Sequence, residues 1–84
     1  MARVNVTYKG RNGEYPDEVE FDATDAEVRD MVAEALRTGY IPGIGEYPGA
    51  TLADFKVDRF PADDAVNPPL PDRMFLRPKT AVGA

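Results

Sequence analysis

Thr24-Asp-Ala-Glu-Val-Arg-Asp-Met-Val-Ala-Glu-Ala-Leu-Arg-Thr-Gly39 is the stretch whose reading decides the fold. Thr24 followed three residues later by Glu27 is a capping box, in which the hydroxyl and the carboxylate each satisfy a backbone N–H that the first helical turn leaves unpaired. Val28, Met31, Val32, Ala35 and Leu36 recur at helical period and form one apolar stripe. Asp25 and Glu27 stand at the positive end of the helix dipole and Arg37 at the negative end. Gly39 stops the element, because a residue without Cβ enters the left-handed C′ position at little cost. These signals predict a helix over Asp25–Thr38. Its single apolar face needs a partner, and the sequence on either side supplies strands.

Upstream, Arg3-Val-Asn-Val-Thr-Tyr8 alternates strictly, with Val4, Val6 and Tyr8 on one face and Arg3, Asn5 and Thr7 on the other. That is the pattern of a half-buried strand. Asn12-Gly13 then carries the strongest short hairpin signal and predicts the turn. A second strand is expected from about Glu18 to Ala23, with Val19, Phe21 and Ala23 inward and Glu18, Glu20 and Asp22 outward. Pro16 withholds a ladder donor, which places this strand at a sheet edge.

Downstream of Gly39, residues 40–49 read as a loop rich in Gly and Pro, with Tyr40 and Ile41 tucked under the helix end. Gly43 and Gly45 look superficially like a phosphate cradle, but no strand precedes them and no helix follows, which excludes a nucleotide site. Leu52 reads as core. A third strand is expected at Phe55–Phe60, with Phe55 and Val57 inward and Lys56, Asp58 and Phe60 outward. Pro68-Pro-Leu-Pro71 reads as a stiff extended spacer. The last strand, Arg73-Met-Phe-Leu-Arg77, offers two registers. Burying two arginines is expensive, so Met74 and Leu76 go to the core and Phe75 is exposed between Arg73 and Arg77.

Eighty-four residues make one domain with a thin core. No apolar run approaches the roughly 20 residues that span a bilayer. The start of the chain has no hydrophobic signal core, so a cytoplasmic location and no membrane partner are expected. Cys, His, Ser, Trp and Gln are all absent. With them go the usual nucleophiles, the near-neutral base and the common zinc ligands, so neither an enzymatic role nor a metal or cofactor is expected. The net charge of −5 is unevenly spread. The run from Glu14 to Asp30 is acidic and holds a single base, Arg29, whereas Arg3, Lys9, Arg11, Arg73, Arg77 and Lys79 make the two ends basic. The acidic balance argues against nucleic acid as a partner, since phosphate attraction carries most of that affinity.

The order strand, hairpin, strand, capped helix, loop, strand, strand resembles a β-grasp domain, and several segments look like ubiquitin and its prokaryotic relatives. Val19-Glu-Phe21 before the capped helix is similar to that family's second strand and helix entry. Gly39-Tyr-Ile-Pro42 resembles its helix exit, and Thr51-Leu-Ala-Asp-Phe55 its turn before a late strand. Leu76-Arg-Pro-Lys79 through Gly83-Ala84 resembles the Leu-Arg-Pro…Gly endings of bacterial ubiquitin-like proteins. The resemblance implies an α+β, ubiquitin-like β-grasp fold over residues 1–78. It has a mixed four-stranded sheet of order 2-1-4-3, one helix across one face, and a flexible tail at 79–84. The chain departs from the family in lacking about ten residues between helix and Thr51, where the family places two strands. Either Phe55–Phe60 is the surviving edge strand or it is the turn in a smaller sheet; the alternation favours the strand.

The resemblance also implies a function. The family meets its partners with the outward sheet face, and the matching position here is Phe75, flanked by Arg73 and Arg77 with Arg3, Thr7 and Phe60 as neighbours. An exposed aromatic beside arginines has the composition of an interface hot spot. The expectation is a protein-interaction module with an unidentified protein partner. If Ala84 is trimmed to expose Gly83, it becomes a bacterial ubiquitin-like modifier, whose partners include a ubiquitin-activating-like enzyme or a tail-processing protease. The alternative is a small acidic inhibitor or host-takeover protein, encoded by a phage or bacterium. It would bind a basic partner through the Glu14–Asp30 surface, with Glu18, Glu20 and Asp22 at its centre.

Overall fold

In the computed structural model, which describes residues 1–79, helix α1 spans Asp25–Thr38 as its sequence predicts. The Glu27 amide donates to the Thr24 hydroxyl at 3.1 Å and the Thr24 amide donates to the Glu27 carboxylate at 2.9 Å. Gly39 closes the helix in the left-handed conformation, with φ 72°. Four strands complete the fold: β1 (Arg3–Tyr8), β2 (Arg11–Glu14), β3 (Phe55–Phe60) and β4 (Arg73–Pro78). They form one mixed sheet in the order β2-β1-β4-β3, with β1 and β4 parallel at its centre and both flanking pairs antiparallel. The molecule is a small α+β fold with one helix packed on one face of that sheet.

The core lies between α1 and the inward sheet face. Val4 and Val6 of β1, Met74 and Leu76 of β4, and Val28, Val32 and Leu36 of α1 are all fully buried. Each such side chain contributes about 1.5–3 kcal/mol through removal from water. The 40–49 loop adds Ile41 and Ile44 to this core, while Tyr40 stays half exposed. The Tyr47 amide donates to the Leu36 carbonyl at 2.8 Å, and Arg37 Nε donates to the Ala50 carbonyl at 3.0 Å, so the loop is tied to the end of the helix. The Tyr47 ring meets Tyr8 edge to face with centroids 5.0 Å apart.

Three sequence expectations are corrected. The hairpin turns at Lys9 and Gly10, not at Asn12-Gly13. Both turn residues have positive φ, 52° and 76°, which is the geometry that a two-residue hairpin loop demands. Asn12 and Gly13 are strand residues instead, paired with Thr7 and Val6. Gly13 thereby takes an inward position, and its role is steric. A Cβ there would collide with the carbonyl oxygen of Pro42 and lie 2.9 Å from Ile41 Cγ2 and 3.0 Å from Ile44 Cγ1. Only glycine lets the loop close down on β2.

Second, no strand forms over Glu18–Ala23, and the edge strand is Arg11–Glu14. Val19 alone pairs with Ala2, and the Ala23 amide then donates to the Glu20 carbonyl as the chain turns toward α1. Val19 is still buried, and Phe21 and Ala23 pack against the core. The alternate residues do point to the core, but a turn achieves this in place of a ladder. Third, Leu70 pairs back to Asp63, so residues 63–70 fold into a closed loop and not a straight spacer.

Candidate functional site

Strand alternation decides which side chains face away from the helix. The register aligns Arg3 of β1, Arg73 of β4 and Phe60 of β3 in one row. It aligns Asn5, Phe75 and Asp58 in the next, and Arg77 with Lys56 beyond that. With Met74 and Leu76 held inward, Arg73, Phe75 and Arg77 have to share the outward face. The sequence places them there because a guanidinium without an acceptor costs too much to bury in this core.

Phe60 and Phe75 form an edge-to-face pair, with centroids 5.4 Å apart and rings inclined at 79°. Each carries a guanidinium: Arg73 lies 5.4 Å from the Phe60 centroid and Arg77 lies 5.1 Å from that of Phe75. Such contacts stabilise the arrangement by about 0.5–1 kcal/mol each at exposed sites. Phe75 is half-buried and not fully exposed, because Phe60 and the arginine stems cover it; Phe60 is the more open ring, at 43% exposure. Arg73 Nε is buried without a hydrogen-bond partner among the described residues. An orphaned buried donor costs about 1–3 kcal/mol. Arg73 and Phe75 also line a shallow cavity of about 250 Å³ together with Arg3, Asn5, Glu14 and Pro71.

The other expected residues divide. Arg3 adjoins Arg73 in the sheet but is ion-paired with Glu14 across the β1–β2 hairpin. Thr7 lies on the outward face, where its hydroxyl accepts from Asn12 Nδ2 at 3.1 Å. Asn12 and Asn5 exchange two further side-chain bonds. These contacts put Thr7 in a polar patch and leave Phe60, Phe75, Arg73 and Arg77 as the cluster that the fold brings together. Across the whole face Arg3, Lys56, Arg73 and Arg77 stand against Glu14 and Asp58, so it is net basic in a chain of net charge −5. Gly83 lies outside the described residues. Lys79, assigned to the tail from sequence, donates its amide to the Asp54 carbonyl at 3.0 Å.

The acidic residues gather elsewhere. Glu18, Glu20 and Asp22 border a groove of about 820 Å³ between α1 and the segment leading into it. At its upper end Tyr40 donates its hydroxyl to Asp17 at 2.9 Å, and Tyr15 packs edge to face on Tyr40. The hydrogen bond to Asp17, followed by that carboxylate's charge, raises the Tyr40 phenol above its ordinary value of 10.0. Burial, followed by the same charge, raises Tyr15.

Sequence reasoning gave no role to Arg59. It occupies an inward position on β3, where its guanidinium donates to the Phe21 carbonyl at 2.8 Å and pairs with Asp25 at 2.5 Å. A basic residue in phase with Phe55 and Val57, opposite an acidic helix start, was the available signal. Among the described residues no group of three acidic, His or Cys side chains is placed to hold a metal ion. No helix among them is long and apolar enough to cross a membrane. The chain matches no protein-family model, no curated protein and no solved structure.

Proposed function

We propose that this chain is a non-enzymatic protein-interaction module with a ubiquitin-like β-grasp fold, which meets a protein partner through the outward sheet face around Phe75. One observation carries the reading: an edge-to-face aromatic pair, each ring stacked by an arginine, at the middle of a net basic face. Aromatic and arginine side chains dominate the energetics of protein interfaces because they bury large area at small conformational cost. The guanidiniums are already oriented by the rings, so a partner acceptor meets fixed donors. The parallel β1–β4 centre, the strand order and the single capped helix support the β-grasp assignment.

The test is capture of partners from native lysate by the intact chain and by Phe75→Ala. Circular dichroism shows whether the variant keeps its fold. The expected result is a partner retained by the native chain and lost by the variant. Unchanged capture by a folded variant overturns the reading. The modifier form of the proposal requires a chain ending at Gly83, and intact-mass measurement of the protein in its native cell tests it. Only unattached chain ending at Ala84 would remove that form and leave the interaction module standing.

A further inference from the structure

The groove beside α1 shares no lining residue with the outward sheet face, and its chemistry is the opposite. Its floor is apolar, built from Val19, Ala23 and Met31 with the Tyr15 ring and Met1, which is 60% exposed. Met31 belongs to the apolar stripe of α1, yet it is only partly buried, because none of the described residues covers this flank of the helix. Around that floor stand Asp17, Glu18, Glu20, Asp22, Glu27 and Asp30, and no lining residue is basic. Asp17 accepts from Tyr40, and Glu27 is committed to the helix cap. Among the described residues the other four side chains make no hydrogen bond or ion pair, whereas Glu14, Asp25 and Asp58 are each paired with a base.

The geometry points to this groove as a second docking surface, whose occupant is a basic amphipathic segment of a partner protein. Apolar side chains of that segment cover Met31 and Val19, and its lysines or arginines meet the carboxylates of the rim. Charge complementarity selects this occupant. Carboxylates crowded round a low-dielectric floor focus a negative field that attracts cationic chains and repels acidic ones. The apolar floor requires more than a solvated cation, and flexible methionines suit a surface that repacks around an inserted side chain. A second copy of this chain fits less well. Its basic surface is the outward sheet face, where Glu14 and Asp58 stand among the cations and would be brought against the acidic rim.

The experiment uses the ¹⁵N-labelled full chain and a synthetic helical peptide with leucines at i, i+4 and i+7 and lysines and arginines elsewhere. A peptide of the same composition with the apolar stripe scrambled is the control. The expected result is a set of saturable amide shifts centred on Val19, Glu20, Asp30 and Met31. Binding should weaken about tenfold or more in the double reversal Glu20→Lys with Asp30→Lys, since two attractions become repulsions. Phe75→Ala should bind the peptide as the native chain does, which separates this surface from the one proposed above. Should the double variant fail to fold, the native chain still decides the matter. Raising salt from about 50 to about 300 mM should weaken the native complex severalfold as exposed charges are screened. The inference is overturned by equal binding of the scrambled peptide, by shifts confined to the outward face, or by no groove shifts at millimolar peptide. Concentration-dependent movement of the groove amides without peptide would also overturn it, by making a second copy the occupant.

Discussion

Replacing Gly13 and Gly10 separately by alanine measures what each glycine does, and Gly13 should be the costlier of the two. Gly13 pairs with Val6 on the inward face of β2, where an added methyl meets the Pro42 carbonyl oxygen and two isoleucine methyl or methylene groups at 2.9 and 3.0 Å. The isoleucines can change rotamer, but the carbonyl belongs to the backbone of a loop tied to α1, so the loop or β2 has to move. Overpacking of this kind costs typically up to about 3 kcal/mol. Gly10 has φ +76° and nothing within 4 Å of a built Cβ, so its alanine pays only for the left-handed backbone, about 1–2 kcal/mol. An 84-residue domain has a total stability of roughly 4–12 kcal/mol. For a domain of this size each kcal/mol moves Tm by about 4–8 °C. At the upper figure Gly13→Ala should therefore lower Tm by about 12–24 °C, and Gly10→Ala by about 4–16 °C. Thermal and urea unfolding followed by far-UV circular dichroism, with unchanged m-values, provides the comparison. If Gly13→Ala lies within about 1 kcal/mol of the native chain, or Gly10→Ala is the costlier change, the hairpin turn and the loop docking described above are wrong.

Two further outcomes follow from the helix start and from the tyrosine pair. Thr24→Ala removes half of the capping box and should cost about 1 kcal/mol in urea unfolding, whereas Thr24→Ser should be nearly neutral. Tyr15 and Tyr40 have folded-state pKa values above 10.0, so the folded chain holds their protons more tightly than the unfolded one. Their contribution is complete below pH 10.0 and is lost as pH rises through the raised values, which predicts a fall in stability on the alkaline side. In Tyr40→Phe the Asp17 hydrogen bond is gone, and the urea midpoint should fall less steeply between about pH 9 and 11. A native curve that is flat over that range would contradict the assignment of those protons.

The outward cluster was legible in advance to the extent that alternation controls it. Met74 and Leu76 can only be buried if Phe75 and the two arginines turn away, and β4 obeys that rule. Neighbouring strands were needed for the rest. Phe60 becomes part of the site because β3 pairs antiparallel with β4 in a register that sets Phe60 opposite Arg73. Thr7 leaves it because Asn12 enters β2 and claims its hydroxyl. Arg59 was missed since a charged residue at an inward position has meaning only once Asp25 and the Phe21 carbonyl are known to lie above it.

Local chemistry by itself determined α1, from its capping box to its terminal glycine, because hydrogen bonds and dipoles within a helix involve residues three or four positions apart. It also determined β1 and β4 with their buried faces and favoured a strand at β3 with Phe55 and Val57 inward, since period-two alternation is written along a single strand. Only tertiary structure decided where the first hairpin turns. Lys9-Gly10 and Asn12-Gly13 can each form a turn, and the choice went to the one that sets a glycine under Pro42 and lets the Ile41–Ile44 loop complete the core. The same long-range packing reduced the expected Glu18–Ala23 strand to one bridge and a turn, because that segment has to leave the sheet edge and reach the start of α1.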